Sequence, residues 1–184
     1  KFIKFLLTAL EPLLNLLFKI FPFLGTKKYN LMQKYIYKKM TSDIDLSEEV
    51  CVGHFDAHQK FPYEDYLLEF YPDNKEKLLA LDFGCGPGRM VKRMMSHFEE
   101  VHGVDLVQNN LTFAEQNLKS SGFDEKRYKF FLTDGTGNDL SNIPHLYDFI
   151  FSTICLQHIP VYSIRMTILK QLYSLLKDGG QASL

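Results

Sequence analysis

The sequence predicts an α/β fold with a doubly wound, mostly parallel sheet and a helical extension at its N-terminus. From Leu78 onward, short apolar runs alternate with segments of helical periodicity. Strands separated by helices form parallel sheets through right-handed crossovers, and the helices then cover both faces. Before Leu78 the chain shows amphipathic helical patterns instead, and residues 1–40 carry eight lysines but a single acid. These observations indicate that the chain consists of a basic N-terminal extension followed by an α/β core.

We divide the chain into a basic amphipathic extension (1–45), a helical segment that covers the site (46–77) and the core (78–184). In the extension, Glu11 and Lys19 interrupt the apolar run and Pro12 lies within it, so a transmembrane span fits poorly. Two interpretations stay open. The helix packs on its own domain or a partner, or it lies at a membrane surface through its lysines and phenylalanines.

The core elements follow from apolar runs, periodicity and turn residues. The predicted strands are Leu78–Phe83, Glu100–Asp105, Tyr128–Thr133, Tyr147–Ser152 and a fifth that begins at Gln181–Leu184. The predicted helices are Gly88–Phe98, Gln108–Ser121 and Val161–Lys177, with Gly179-Gly180 as the cap of the last one. A further helix starts near Phe61, with Pro62 in its first turn.

Composition limits the class of protein. The three cysteines are widely spaced and odd in number, which argues against a disulfide framework and a zinc site and is typical of a reducing compartment. We therefore expect a cytoplasmic protein, with peripheral membrane contact through residues 1–40 as a hypothesis. The chain starts at Lys1 and stops within an apparent strand, so we expect a fragment.

The first predicted strand runs into a glycine turn, Gly84-Cys85-Gly86-Pro87-Gly88, and then a helix. Such glycines permit positive φ and let a ligand approach the backbone closely. A dinucleotide fingerprint would have a glycine at the sixth position, where Arg89 stands, and the lysine of a phosphate-binding loop is absent. A pyrophosphate needs several backbone donors, whereas an uncharged or cationic ligand does not, so the loop favours the latter.

Polar residues follow the other predicted strands, where ligands bind in parallel sheets. Asp105 ends the second strand and suits the two hydroxyls of a ribose, although it could only cap the next helix. Asp134 ends the third strand and suits an amino group such as that of adenine, although Asp134-Gly135 could only form a turn. His158 follows the fourth strand. It could act as a catalytic base, or it could simply lie at the start of the next helix with no chemical role.

These motifs, taken together, resemble those of class I S-adenosylmethionine-dependent methyltransferases. The likeness covers residues 78–184 and is carried, in order, by Leu81–Gly88, Val104-Asp105-Leu106, Thr133-Asp134-Gly135, Tyr147–Ser152 and Leu175–Gly180. It implies a Rossmann-like sheet of order 3-2-1-4-5, with the family's strands 6 and 7 missing from this chain. It also implies S-adenosyl-L-methionine as cofactor.

The resemblance implies roles for individual residues. The glycine loop would border the methionine half of the cofactor, Asp105 the ribose and Asp134 the adenine, while Asp82 would anchor the loop or meet the ammonium through water. The full predicted cofactor-binding set is Asp82, Gly84, Cys85, Gly86, Gly88, Asp105, Leu106, Asp134, Gly135, Ser152 and Thr153.

The predicted reaction is in-line methyl transfer to an oxygen or nitrogen of a small-molecule, lipid or sugar-like acceptor. The sulfonium is electrophilic without help, so the protein mainly supplies placement, and a base is needed only if the acceptor must lose a proton. His158 is our candidate base, with His54 and His58 as alternatives. No Asn-Pro-Pro-Tyr motif follows the fourth strand and no proline precedes Cys155, so amino methylation of adenine or glutamine and attack on a cytosine ring are not favoured.

Two other functions stay open at this point: a non-catalytic binding module with the same fold, and a nicotinamide-dinucleotide oxidoreductase. Nucleic acid is not favoured as acceptor, because the lysines lack the arginines and stacking residues expected of an RNA-binding surface.

Overall fold

The computed structural model describes residues 33–36, 63–69, 78–159 and 161–184. Five strands form one sheet, and every neighbouring pair is parallel. They are β1 (Leu79–Phe83), β2 (Glu100–Asp105), β3 (Phe130–Leu132), β4 (Tyr147–Phe151) and β5 (Leu176–Ser183). Their order is β3-β2-β1-β4-β5, which confirms the predicted fold class and strand order.

In the described part of the chain, the α-helices beside the sheet are α1 (Tyr63–Leu68), α2 (Arg89–Met94), α3 (Gln108–Ser120) and α4 (Tyr162–Ser174). Short 3-10 helices lie at Glu125–Arg127, Asn138–Asn142 and Leu156–His158, and residues 33–36 are α-helical too. Among the described residues, no helix has both the length and the apolar character needed to cross a membrane. Most of the predicted basic extension, together with His54 and His58, lies outside them.

Both faces of the sheet are buried along its three central strands, β1, β2 and β4. On one face Ala80 and Phe149 pack with the apolar side of α2 and with Leu118 of α3. On the other face Leu81 and Ile150 pack against α4. A strand covered on both sides is apolar at successive positions, which is why the bounds of β1, β2 and β4 follow the sequence pattern closely.

Helix α2 ends at Met94, four residues before the predicted end at Phe98. The guanidinium of Arg127 donates to the carbonyls of Met95, Phe98 and Glu99, which stabilises the chain after it leaves the helix. Phe98 still packs in the core, where its ring stacks on that of Phe149 with centroids 5.5 Å apart. The apolar pattern of the sequence therefore extends beyond the end of α2, which is why the helix was predicted to be longer.

The boundary between α4 and β5 was predicted wrongly. Helix α4 ends at Ser174 rather than Lys177, and β5 begins at Leu176. Gly179-Gly180 does not cap the helix, because it lies in an irregular part of β5. There Tyr147 pairs with Leu176 but Phe149 pairs with Gln181, so β5 bulges, and Gly179 takes the positive φ of 80° that the bulge needs. Strand β3 is also shorter than predicted.

The amino ends of three strands are held together by Asp148 of β4. Its Oδ2 accepts a hydrogen bond from the backbone N–H of Leu79 in β1 and lies 2.8 Å from Nζ of Lys177 in β5. These contacts lie at the edge of the sheet opposite to the predicted site.

A buried imidazole lies on the α4 side of the sheet. His102 of β2 is fully buried, with Nδ1 3.0 Å from Oη of Tyr147 and Nε2 3.2 Å from Oε2 of Glu100. A neutral ring satisfies both contacts when Nε2–H donates to the carboxylate and Nδ1 accepts from the phenol. Burial first, and then the charges of His145 and Lys129, lower the pKa of His102 to about 3.

Candidate functional site

The glycine loop joins β1 to α2 at the carboxyl edge of the sheet. The amides of Gly84 and Cys85 donate to the carbonyl of Val104, at 2.8 and 3.0 Å, and that of Gly88 donates to the carbonyl of Cys85. The amide of Gly86 donates to Oδ2 of Asp105 at 2.9 Å, and Pro87 has no N–H. Every N–H of the loop is therefore used within the protein. An anion such as pyrophosphate would find no donor here.

Two glycines of the loop differ in what surrounds them. A methyl group on Gly84 would overlap the side chain of Cys155, whereas a methyl group on Gly86 would meet no atom within 4 Å. Both residues have positive φ, 81° and 53°. Gly84 is therefore needed for the packing of the protein itself, while Gly86 faces open space where a ligand can approach the backbone.

Cys85 contributes backbone rather than a reactive thiol to this loop. Its side chain is buried and its sulfur lies 2.7 Å from the position that a Cβ on Gly103 would take. Burial first, and then the nearby carboxyls of Asp105 and Asp82, raise the pKa of the Cys85 thiol well above its usual value. The side chain thus fills the gap between the loop and β2.

Asp82, at the carboxyl end of β1, is a buried acid without full compensation. It is 1% exposed, and its Oδ1 has no hydrogen-bond partner among the described residues. The pKa of Asp82 is raised to about 8, chiefly by burial, with Arg89 partly opposing the shift and Asp105 adding to it. A buried carboxyl with an unused oxygen costs free energy in the absence of a partner, and a cationic ligand would supply one.

Asp105 caps the helix that follows β2, as one of its two interpretations predicted, and one of its oxygens is left with capacity for a ligand. Its Oδ1 accepts from the amide of Val107 at the start of α3 and from Nδ2 of Asn110, at 2.8 and 3.1 Å, while Oδ2 accepts from Gly86. Burial raises its pKa, and the hydrogen bonds from Val107, Gly86 and Asn110 oppose that shift. A carboxylate oxygen accepts about two hydrogen bonds, so Oδ2 keeps capacity for a ligand hydroxyl.

The loop after β3 is braced by Asp139. Its carboxylate accepts from the hydroxyl of Thr133 and from the amide of Asp134, at 3.0 and 2.7 Å. Asp134 itself is exposed and accepts from the amide of Thr136 at 2.7 Å, as the turn interpretation required. Burial raises its pKa, but the hydrogen bonds from Thr136 and the charge of Lys34 are among the effects that bring the pKa of Asp134 below its usual value.

The loops after β2 and β3 meet through Leu106 and Gly135. A Cβ on Gly135 would lie 2.9 Å from Cδ1 of Leu106, so these two predicted site residues are neighbours.

The loop after β4 folds back toward the glycine loop. The hydroxyl of Ser152 donates to the carbonyl of Phe83 at 2.7 Å, and its amide donates to the carbonyl of Ser183. Thr153 is half-buried beside it. Ile154 is the one non-glycine residue among those described with a positive φ, 51°. A β-branched residue is strained in that conformation, and such strain clusters at functional sites.

His158 ends this loop, in the 3-10 helix Leu156–His158, and is exposed. Its carbonyl accepts a hydrogen bond of 2.7 Å from Nε2 of Gln33. The predicted site residues thus gather at one edge of the sheet, with the loop of His158 on one side and that of Asp134 on the other.

Sequence reasoning missed several residues that shape the site. Asn110 and Asp139 each lie five positions after a predicted site acid, and their polar side chains at those positions are a usable local signal. Cys155 and Gln33 leave no such signal, because their contacts join residues distant in the chain. Arg89, which lies over the ring of Tyr63 at 5.3 Å, had been noted only as a departure from a dinucleotide motif.

Three comparisons bear on this geometry. A family model described as "Methyltransferase domain" matches residues 80–180. A demethylmenaquinone methyltransferase of Bacillus subtilis is 26% identical over 149 residues, which cover 79% of this chain and 59% of that protein. The chain therefore spans under two thirds of this curated relative.

Solved structures share the fold. A crystal structure of an S-adenosylmethionine-dependent methyltransferase from Clostridium acetobutylicum has a TM-score of 0.51 and 22% identity, over 80% of this chain and 53% of that one. A Haemonchus contortus phosphoethanolamine N-methyltransferase, solved with S-adenosylhomocysteine and phosphomonomethylethanolamine, has a TM-score of 0.54 and 22% identity, over 75% and 34% of the two chains.

Proposed function

The chain belongs to the methyltransferase-domain family, and on that premise we propose that it binds S-adenosyl-L-methionine and methylates a small molecule. The acceptor atom is an oxygen or nitrogen of a small-molecule, lipid or sugar-like compound. The observation that carries this proposal is the glycine loop, whose amides are all engaged while the carboxyl of Asp82 below it keeps an unused oxygen.

That combination favours a cation over an anion. A dinucleotide would bring a pyrophosphate to a loop without donors and would place it near the carboxyls of Asp82 and Asp105. S-adenosyl-L-methionine carries a sulfonium and an ammonium instead, and opposite charges at a buried site stabilise each other. The oxidoreductase alternative is therefore disfavoured.

Each predicted residue has a task in holding this cofactor. The open face of Gly86 would border its methionine part, and Oδ2 of Asp105 would accept from a ribose hydroxyl. Leu106 and Gly135 would border the adenine, with Asp134 as acceptor for its amino group. The cofactor brings an activated methyl group, and the chain supplies orientation and exclusion of water.

His158 is the residue of this chain proposed to handle a proton. Its side chain is exposed at the end of the loop after β4, where an acceptor can reach the imidazole. A neutral imidazole can take the proton that a hydroxyl loses as its oxygen attacks the methyl group, or the proton that an ammonium must lose before its nitrogen can attack. The B. subtilis relative, named a demethylmenaquinone methyltransferase, supports a small molecule as acceptor.

Titration calorimetry with S-adenosylhomocysteine tests cofactor binding. We expect binding by the native chain and a weakening by roughly 1–3 kcal/mol for Asp105→Ala, about 5- to 150-fold, since charge-assisted hydrogen bonds to the ribose and the loop are lost. Asp178→Ala, a change on the exposed part of β5, is the matched control and should bind as the native chain does. Absence of heat with S-adenosylhomocysteine, or preferential binding of NADH, would contradict the proposal.

A second experiment separates chemistry from binding. Panels of hydroxyl and amine acceptors are incubated with S-adenosyl-L-methionine, and formation of S-adenosylhomocysteine is followed. With an acceptor that supports turnover, His158→Ala should lower kcat by roughly 10²- to 10⁴-fold, the usual contribution of a general base, and leave the affinity for S-adenosylhomocysteine unchanged. Equal turnover by the variant would remove His158 from the mechanism.

A further inference from the structure

We propose that residues 33–36 form a cover over the acceptor side of the site, in which Gln33 is the positioning residue for the loop that carries His158. The inference rests on the proposed function for its meaning, but the contact that supports it involves no ligand. Gln33 belongs to a stretch of helix before the α/β core, and no motif had assigned it a role.

The first support is the contact between Gln33 and His158. The side-chain amide donates to the main-chain carbonyl at 2.7 Å, although the two residues are 125 positions apart. The receiving segment is a single 3-10 turn held by two hydrogen bonds of its own, from His158 to the Cys155 carbonyl and from Ile159 to that of Leu156. The added hydrogen bond from Gln33 therefore contributes substantially to holding this turn in place.

The strain at Ile154 makes such support more important. A β-branched residue with φ near 51° costs of order 1–3 kcal/mol and persists only where the surroundings hold it. The turn of His158 begins two residues later. The amide of Gln33 holds the far end of this strained segment, so the position of the His158 backbone depends on the cover.

The second support is the neighbouring residue, Lys34. Its positive charge is close enough to Asp134 to contribute to the lowered pKa of that acid. Asp134 follows β3 and His158 follows β4, and these strands are three positions apart in the sheet, about 14 Å at the usual strand spacing. Two consecutive residues thus act on loops at opposite sides of the glycine loop.

The orientation of the segment agrees with a cover. Tyr35 is 65% exposed, whereas Gln33, Lys34 and Ile36 are partly buried. With such a cover in place, an acceptor on its way to His158 passes beside Gln33 and Lys34. These two side chains therefore help to decide which acceptors enter, with Lys34 favouring a group that tolerates or uses a positive charge.

Gln33→Glu tests the positioning role with almost no change in shape. The carboxylate cannot donate to the His158 carbonyl, so the turn loses its support. In the ligand-free protein, hydrogen exchange of the amides of His158 and Ile159 should quicken by roughly 2- to 10-fold, the scale of one hydrogen bond. Gln33→Lys keeps a donor and should restore slow exchange, which a general loss of packing would not allow.

Controls keep the outcome decisive. Gln116→Glu makes the same chemical change on the exposed face of α3 and should leave the exchange of both amides as it is. Lys34→Met should raise the pKa of Asp134, followed by carboxyl NMR. The proposal is overturned if the exchange rates of the His158 and Ile159 amides do not change in Gln33→Glu, or if they rise equally in Gln116→Glu. Because these measurements use the ligand-free chain, they can fail while S-adenosylhomocysteine still binds, and the reverse is also true.

Discussion

Replacing Asp82 by asparagine should stabilise the ligand-free protein at neutral pH. The native carboxyl is buried below the glycine loop, has an unused Oδ1, and has its pKa raised to about 8, chiefly by burial. Asparagine has nearly the same shape and cannot ionise. The substitution therefore removes the cost of keeping a buried acid protonated, or ionised without a partner, in the folded state.

The size of the effect follows from proton linkage. Between pH 4 and 8 the unfolded chain has lost the proton of Asp82 while the folded chain keeps it, so the stability of the native protein falls by about 1.4 kcal/mol per pH unit from this group. The asparagine variant lacks that slope. Its advantage should be near zero at pH 4, about 4 kcal/mol at pH 7, and constant above pH 8. This is a large share of the 5–15 kcal/mol typical of a domain.

Urea denaturation followed by circular dichroism at one-unit steps from pH 4 to 9 measures the difference. Asp178→Asn, an exposed acid in β5, is the control and should give stability curves parallel to those of the native chain. A difference between Asp82→Asn and the native chain that does not change from pH 5 to pH 8 would refute the assigned shift.

The same variant should bind the cofactor product less well. In the native chain, the ammonium of S-adenosylhomocysteine favours the ionised form of Asp82, so binding near pH 7 should release a proton, and affinity should rise with pH up to about 8. Calorimetry in buffers of different ionisation enthalpy detects that proton. Asp82→Asn should bind without releasing it, and release by both proteins would place the titrating group elsewhere.

The other predictions concern the glycine loop and the buried imidazole. Gly84→Ala should abolish stable folding or cost several kcal/mol of stability in urea denaturation, because the added methyl group overlaps Cys155. Gly86→Ala, with open space around it, should cost only about 1–2 kcal/mol for its positive φ but should still weaken the binding of S-adenosylhomocysteine. Equal losses of stability in the two variants would contradict the different roles given to these glycines. His102 has a folded pKa lowered to about 3, so stability should fall below pH 6.5 by up to about 1.4 kcal/mol per unit. His102→Phe should remove that slope whatever its effect at pH 8, and an unchanged slope would assign the acid sensitivity to another group.

The core of the sheet was predictable for a physical reason. Strands β1, β2 and β4 are buried on both faces, so each is a continuous apolar run with turn residues at its ends. The end of α2 and the start of β5 were not predictable in this way. Phe98 continues an apolar pattern outside the helix, and the glycines of β5 serve a bulge that depends on pairing with β4.

The candidate site also has a part that the sequence predicts and a part that it does not. Its glycines and acids follow strands directly and share local motifs, so the sequence places them at one edge. Their supports are less visible. Asn110 donates to the carboxylate of Asp105, and Asp139 accepts from the backbone amide of Asp134. Gln33 contacts a residue 125 positions later in the chain. Contacts between distant segments leave no periodic pattern in the sequence.

The position of Asp148 has a practical consequence for engineering. Its carboxylate ties β1, β4 and β5 at their amino ends, while the loops that line the site leave the carboxyl ends of the strands. A library that varies Leu156, Gln157 and Ile159, with His158 kept, therefore changes none of the groups that join these strands at the opposite edge. Such a library can be screened for new acceptors, with Asp148 and Lys177 kept constant as the frame.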